Sequence, residues 1–271
     1  MAIDLDDEDR RVLPQLRHQR LQQRVRALRG DTVVVDSTRA RLVWEPRRPV
    51  ASYAVPEADV LVPLEPGPAA TPDDGRPVLD PRVPFAVHSA PGEVLSLRLP
   101  DGGLAVGAAY RLADPDLADH LVLDFAAFDW RDEEDARISH PRDPRHRIDV
   151  FPSARTVRIE HAGRLLAESA RARWLFEGTF GFPRYYLPRE DVAVPLERDP
   201  DLATACAYKG VATYWSVAGD PALSRIAWSY EEPLVDATSV RGLVCFFTER
   251  LDLSVDATPV PRPWTPWSDP D

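Results

Sequence analysis

The sequence predicts an all-β protein made of two homologous, compact antiparallel β-domains in tandem, with a short N-terminal helix. Three observations predict this fold class. Short β-rich segments recur at intervals typical of all-β architecture, 28 prolines disfavour long helices, and the chain contains an internal repeat. With 271 residues, of which 44% are hydrophobic, the chain is large enough for two domains with real cores.

The internal repeat sets the domain boundaries. Residues 25–65 align with residues 157–197 without a gap, and over a third of these positions are identical. A weaker match aligns 108–128 with 226–246, so the first copy has extra residues, which fall in a Pro-rich loop at 67–84. We therefore expect a helical or extended segment at 1–19, β-domains at 20–136 and 148–271, and an extended Pro-rich linker at 137–147.

The segment 15–29 gives two conflicting signals. Leu21, Val25 and Leu28 have the spacing of an apolar helix face. The repeat instead places the residues from Val25 onward in a hairpin that turns near Gly30. We follow the repeat, so any helix in this region is expected to end by about Arg24.

Composition excludes several classes of function. The net charge is −11 and no basic block occurs, so nucleic-acid binding is disfavoured. No apolar run approaches the ~18 residues of a membrane span, and the acidic N-terminus lacks the apolar core of a secretion signal. Two cysteines cannot form a Cys₄ zinc site or a disulfide framework. We expect a cytoplasmic protein without a metal, cofactor, membrane or nucleic-acid partner, and the oligomeric state is not defined by the sequence.

The segment CAYKG, residues 206–210, contains the only lysine among 33 basic residues. In the repeat alignment it lies over HSAPG, residues 88–92, so the first copy lacks its reactive side chains. This contrast favours a functional amine at Lys209. The alternatives are chance, or a confined position that rejects a guanidinium group.

Two chemistries are open to this segment. In a regular strand Cys206 and Tyr208 would share one face and Lys209 would point to the other, but a turn at Gly210 could bring them together. The Lys209 ammonium would then favour the Cys206 thiolate. Alternatively, a desolvated Lys209 could act as a base or form an imine with a carbonyl substrate. Cys206 could also be an ordinary buried thiol, as is expected of Cys245.

Other candidate residues differ in whether the first copy retains them. Arg184 is replaced by Ser52 there, which makes Arg184 the better candidate for holding an anionic ligand group. Arg171 and Glu177 have equivalents, and therefore fit scaffold ion pairs as well as ligand contacts. Tyr208, Tyr214 and Trp228 are candidates for an aromatic pocket wall or for the core.

A histidine partner for Cys206 would have to come from His161, from the linker histidines His140 and His146, or from the other domain. The linker histidines could line the mouth of a pocket, or could lie in a solvated linker with local ion pairs.

Several motifs of the second copy resemble a known family. They include PRYYLPREDV (183–192), CAYKG with YWSV (214–217), and VRGLVCFF (240–247). These segments are similar to the bacterial domain of unknown function number 427, also labelled nucleotidyltransferase-like, and the linker resembles the joint of tandem members. The resemblance implies a compact antiparallel fold with tent-like sheets and no zinc. It implies little about activity, since no paired-carboxylate metal site or Gly-rich phosphate loop is present. Ala207 stands where the family usually has proline.

Three hypotheses about function follow. The first is an enzyme in which Lys209 and Cys206 act on a small polar or carbonyl-containing metabolite. The second is a ligand-binding module that uses Lys209 as a fixed cation. The third is a structural or interaction protein.

Overall fold

The fold is described by a computed structural model over residues 2–178, 181–265 and 268. The protein is mostly β, with 45% of residues in strands, and all sheets are antiparallel, as predicted. The chain divides into two compact units, Met1–Asp143 and Pro144–Asp271. In the described part of the chain, no helix has the length and apolar character needed to cross a membrane.

The first unit begins with a helix and continues as strands. The helix is α1 (Leu5–Val12), and the strands are β1 (Arg17–Arg20), β2 (Val25–Arg29), β3 (Thr32–Ser37), β4 (Arg41–Trp44), β5 (Ser52–Pro56), β6 (Leu64–Pro66), β7 (Gly92–Arg98), β8 (Leu104–Leu112), β9 (His120–Leu123), β10 (Asp129–Asp132) and β11 (Asp135–Arg137). They form a seven-stranded sheet in the order β1-β4-β5-β9-β8-β7-β6 and a four-stranded sheet in the order β11-β10-β2-β3.

The second unit repeats this plan. Its strands are β12 (Ile148–Pro152), β13 (Val157–His161), β14 (Arg164–Ser169), β15 (Arg173–Glu177), β16 (Arg184–Leu187), β17 (Leu196–Cys206), β18 (Gly210–Val217), β19 (Ala227–Ser229), β20 (Val244–Phe246), β21 (Asp252–Val255) and β22 (Thr258–Val260). The sheet orders are β12-β15-β16-β20-β19-β18-β17 and β14-β13-β21-β22. Position by position, the larger sheet has the strand order of its counterpart in the first unit.

The N-terminal helix lies upstream of the segment with helical spacing. Residues 5–12 form α1, whereas 17–20 and 25–29 are strands β1 and β2. The helical interpretation of 15–24 was therefore wrong. Pairing of β1 with β4 at the sheet edge decides this, because it supplies hydrogen-bond partners to the backbone groups on one side of β1, which the helical spacing could not reveal. The hairpin turning at Gly30, between β2 and β3, is confirmed.

A short loop with the same contacts recurs in both units. Ser37 Oγ donates to Asp59 at 2.6 Å, and Ser169 Oγ donates to Asp191 at 2.6 Å. Arg171 Nη2 pairs with the same Asp191, and its counterpart Arg39 pairs with Asp59 in the same way. These surface ion pairs hold equivalent loops, which accounts for their presence in both copies.

Strand register brings several candidate residues to one face of the second unit's large sheet. Cross-strand partners share a face. Arg173 is opposite Tyr186, and the row continues through Cys245, Trp228 and Tyr214. By the two-residue period of a strand, Leu175 and Glu177 follow Arg173 on the same face, and Leu175 is opposite Arg184. We call this surface the site face.

The turn between β17 and β18 is buried, which is unusual because turns normally lie at the surface. Ala207, Tyr208 and Lys209 form it and are each less than 9% exposed. The Leu234 N–H donates to the Lys209 carbonyl at 3.0 Å. Gly210 follows with a φ of +103°, a conformation that side chains with a Cβ rarely adopt.

We expect Gly210→Ala to destabilise the fold more than Gly163→Ala. Both glycines have positive φ, but a Cβ at Gly210 would lie 3.2 Å from the Glu232 carbonyl oxygen, whereas a Cβ at Gly163 meets nothing within 4 Å. Comparison of the two variants therefore separates the cost of backbone strain, which both have, from the cost of steric conflict, which only Gly210→Ala has. Urea unfolding is expected to show a free energy of unfolding lower by about 1 kcal/mol or more in Gly210→Ala than in Gly163→Ala. Equal losses of unfolding free energy in the two variants would show that the loop at Glu232 to Leu234 moves to accommodate the added Cβ.

Candidate functional site

The centre of the candidate site is an ion pair between Lys209 and Glu177. Lys209 Nζ donates to Glu177 Oε2 at 2.5 Å, and the two side chains are only 10% and 6% exposed. Glu177 is the last residue of β15 and faces inward with Leu175, while Lys209 is the last residue of the buried turn. The contact joins residues 32 positions apart in sequence.

His146 completes the cluster. Its Nε2 atom lies 3.8 Å from Glu177 Oε1, too far for a hydrogen bond, and its side chain is 8% exposed. The ring packs on Tyr208 with centroids 4.1 Å apart. Among the described residues, Nε2 has no hydrogen-bond partner although it is buried. We refer to Lys209, Glu177, His146 and Tyr208 as the cluster.

Glu177 remains ionised in this buried position. Burial by itself raises the pKa of a carboxyl group, but the charge of Lys209 and the neighbouring His146 outweigh burial and lower the pKa of Glu177 to about 2. The carboxylate is therefore charged at all physiological pH values, and Lys209 faces it as a fixed cation.

A compact ammonium suits this position better than a guanidinium. The Lys209 residue is buried, its amine pairs with Glu177, and its carbonyl accepts from the Leu234 N–H. An arginine would add two heavy atoms and a planar, forked end group at this buried position, and overpacking of a buried site is costly. This burial favours a confined position as the reason for the one lysine in an arginine-rich chain, over chance.

Cys206 is not drawn into the ion pair. It ends β17 opposite Gly210 and is partly exposed. Lys209 is engaged by Glu177 instead, so the expected thiolate–ammonium pair is not the arrangement in this structure. The thiol of Cys245 is fully buried on the site face, and burial raises its pKa, as expected for a core cysteine.

Arg184 has its guanidinium fork occupied. Its two terminal nitrogens donate to Glu249 at 2.8 and 2.6 Å, and both side chains are buried. Thr265 Oγ1 donates to the same carboxylate at 2.8 Å. The Arg184 guanidinium also lies 5.3 Å from the Trp228 ring. Arg184 therefore acts as an internal anchor in this structure rather than as an open anion site.

The aromatic candidates take separate roles. Trp228 Nε1 donates to the hydroxyl of Tyr186 at 3.2 Å, deep in the unit. The Tyr214 hydroxyl is 2.9 Å from Thr204 Oγ1, near the surface. Burial raises the pKa values of Tyr186 and Tyr230 well above 10, so both phenols stay neutral. Arg171 contacts Glu190 and Asp191 rather than the cluster.

His146 and Glu249 are the residues that sequence reasoning did not assign to the site. His146 was considered as a partner for Cys206, but it contacts Glu177 and Tyr208 instead. Its position just before a strand that pairs with β15 was the available signal. Nothing in the local pattern of Glu249 indicated a partner 65 residues away. Within the described ranges, no three His, Cys, Asp or Glu side chains converge as metal ligands would.

The first unit has its own buried carboxylate at the equivalent place. Glu45, which aligns with Glu177, accepts from His88 Nδ1 at 2.9 Å and from the Ser89 N–H at 2.9 Å. The His88 ring stacks on Tyr110 with centroids 3.5 Å apart and an interplanar angle of 3°. Each unit thus places a cationic or imidazole group on the same carboxylate, but from different sequence positions.

Removing one partner of the ion pair is expected to be more damaging than removing both charges. Lys209→Met would leave the Glu177 carboxylate buried without its cation, at a cost of about 3–5 kcal/mol. The double variant Lys209→Met with Glu177→Gln removes the uncompensated charge, so we expect it to recover most of this loss. Urea unfolding of the two single variants and the double variant measures the coupling. Additive losses would contradict a direct pair.

The lowered pKa of Glu177 predicts the pH dependence of stability. A carboxyl whose folded pKa lies below its unfolded value stabilises the protein above the unfolded value and loses that contribution as pH falls. For Glu177 the window runs from 4.5 down to about 2. The contribution at neutral pH is about 3 kcal/mol from that difference. Unfolding from pH 7 to 2 should show a smaller loss of stability in Glu177→Gln than in wild type. Parallel curves would contradict the assignment.

Comparison with known proteins identifies the second unit. Residues 149–257 match the sequence profile of a family described as a domain of unknown function (DUF427). The matched segment includes Glu177, Cys206 and Lys209, while His146 lies just before it. The match does not extend into the first unit, so a second copy of this family there stays a prediction. No curated protein matches the chain. The segment that holds the buried ion pair is therefore a DUF427 domain.

Proposed function

We propose that the second unit binds a small, uncharged polar metabolite at the cluster, with Lys209 as a fixed cation. The observation that carries the proposal is the buried Lys209–Glu177 pair together with a buried His146 Nε2 that has no partner among the described residues. We further propose that the protein is a bacterial, cytoplasmic one.

The energetics of the pair support a role beyond folding. Two buried charges lose their hydration, and their mutual attraction often does no better than well-packed apolar side chains of similar volume. The row of aromatic and aliphatic residues on the site face could complete an apolar core at this position without any charge. An ion pair that is costly to bury, next to an unsatisfied imidazole nitrogen, is the pattern expected of a preorganised recognition site.

The charges of the cluster favour an uncharged ligand. Lys209 and Glu177 cancel each other, and an anionic ligand on Lys209 would meet the Glu177 carboxylate. An ammonium has three donors, of which Glu177 takes one. A ligand carbonyl can accept from another, and His146 Nε2 can take a hydrogen bond from a ligand hydroxyl or amide. Tyr208 offers an aromatic surface beside it. A carbonyl-containing, hydroxyl- or amide-bearing metabolite fits these groups.

Catalysis by Lys209 is the second candidate function. The observation that favours it is the burial of the Lys209 amine, because desolvation by itself favours the neutral, nucleophilic form of an amine. Cys206 remains a candidate in this scheme, as a partly exposed thiol next to the same turn. An interaction role without a ligand is the third possibility.

A ligand screen tests the binding proposal. We expect neutral carbonyl compounds to raise the Tm of the wild-type protein in a saturable way, and Glu177→Gln to abolish this shift. Glu45→Gln is the matched control, because it alters the equivalent buried carboxylate of the first unit and leaves the cluster intact. Retention of the Tm shift in Glu177→Gln, or equal loss in both variants, would overturn the site assignment.

Acylation of Lys209 separates binding from amine catalysis. Lys209 is the only side-chain amine in the chain, so its modification can be followed without interference. If Lys209 is a fixed, paired cation, it should acylate about tenfold or more slowly in the folded protein than in the protein unfolded by urea, because the ion pair keeps the amine protonated. Glu177→Gln should accelerate the reaction. Peptide mass spectrometry over time measures both rates, and rapid acylation of the wild-type Lys209 would favour the catalytic alternative.

A further inference from the structure

A concave depression of about 390 Å³ lies on the first unit, apart from the residues of the cluster. Its lining includes Arg20, Arg39, Arg41, Asp119 and His120. The volume is within the range of small-molecule sites. We call this depression the arginine groove.

The arginine groove contains two guanidinium groups that, within the described part of the chain, have no carboxylate at ion-pair distance. Arg20 and Arg41 are direct cross-strand partners on β1 and β4, so two like charges face each other across the strand pair. Like charges in this position destabilise a sheet. Among the described residues, neither side chain has a carboxylate at ion-pair distance. Arg41 donates instead to His18, whose Nδ1 is 3.1 Å away.

This arrangement stands out in a chain with a net charge of −11. Acidic residues outnumber basic ones, and many arginines of the described part form carboxylate pairs, including Arg39 of the same groove, which pairs with Asp59. Sequence and fold therefore provide ample carboxylates, yet neither arginine of the opposed pair has a described one at ion-pair distance, and Asp119 interacts with Arg41 only at longer range. In the second unit, the position equivalent to Arg20 is Pro152, which is opposite Arg173, so no such repulsion exists there.

The remaining charged groups of the groove are accounted for. Asp119 Oδ1 lies 2.6 Å from His120 Nδ1, and this contact lowers the pKa of Asp119. The His120 side chain is 5% exposed and is held by that carboxylate. The groove thus combines two guanidinium groups with a carboxylate-oriented imidazole.

We propose that the arginine groove binds a phosphate group, either as inorganic phosphate or as the phosphate monoester of a small metabolite. A dianion placed between Arg20 and Arg41 would replace their mutual repulsion with two attractive contacts. Guanidinium forks match the oxygen geometry of phosphate and form paired hydrogen bonds to it. The site belongs to the first unit and does not depend on the function proposed for the second.

Binding of inorganic phosphate and of glycerol 3-phosphate by the full chain tests the proposal. Isothermal titration at a fixed ionic strength of about 0.1 M limits non-specific screening effects. We expect saturable binding that Arg20→Ala and Arg41→Ala each weaken about tenfold or more, because each removes one fork. Arg173→Ala, the equivalent of Arg41 in the second unit, is the matched control and should bind like wild type.

The unliganded variants provide a second readout. If Arg20 and Arg41 repel each other, Arg20→Ala should unfold at the same temperature as wild type or at a higher one, so weakened binding cannot be ascribed to lost structure. Tighter binding of the ester would identify a metabolite as the ligand, and equal binding would identify inorganic phosphate. Absence of saturable binding, or equal weakening in Arg173→Ala, would overturn the proposal.

Discussion

A carboxylate on the inward face of a strand must be neutralised or paired, and both units of this protein meet this requirement at the same place. Glu45 follows β4 and Glu177 ends β15, the second strand from the edge of each large sheet. Water cannot solvate these groups, so the surrounding chain has to supply hydrogen-bond donors. In each unit the donors come from the segment that leads into the strand equivalent to β18.

The two units satisfy the carboxylate differently, and the difference explains where function is expected. In the first unit one imidazole and the backbone N–H groups of Ser89 and Ala90 hold Glu45, and Tyr110 stacks on the imidazole. In the second unit an ammonium holds Glu177, and a histidine from the linker approaches without bonding. The first arrangement leaves the carboxylate well hydrogen-bonded. A buried imidazole Nε2 without a partner among the described residues occurs in both units, on His88 and on His146. Only the second unit adds an ammonium with spare donors, which is why we place ligand recognition there.

Arginine is used in this chain mainly as a structural ion-pair partner. Arg184 shows this in the core, where its fork is matched by Glu249 and closed by Thr265. The recurring surface loop shows it outside, where Arg39 and Arg171 hold equivalent aspartates. Against this background the exceptions carry information. Lys209 differs because it is a lysine with a smaller cationic group than arginine. Arg20 and Arg41 differ because they lie opposite each other and neither has a carboxylate at ion-pair distance in the residues that the structure describes.

The internal repeat carried most of the successful predictions, because it constrains strands by a comparison within the chain. It corrected the helical interpretation of Val25 to Arg29, and it singled out Lys209 by its absence from the first copy. It could not correct residues 15–24, since the aligned segment begins at Val25. In that segment the apolar spacing predicted a helix, whereas residues 17–20 form an edge strand that pairs with β4.

The sequence by itself determined the all-β class, the Gly30 hairpin and the candidate residues Lys209 and Glu177, because strand alternation, turn chemistry and the repeat are local or linear properties. Only the tertiary structure decided which of these residues meet. The buried turn carries Lys209 to Glu177 rather than to Cys206, and the linker brings in His146. Arg184 likewise finds Glu249 instead of a ligand. Such partners are chosen by strand register and by the need to pair buried charges, and these act between residues that are far apart in the chain.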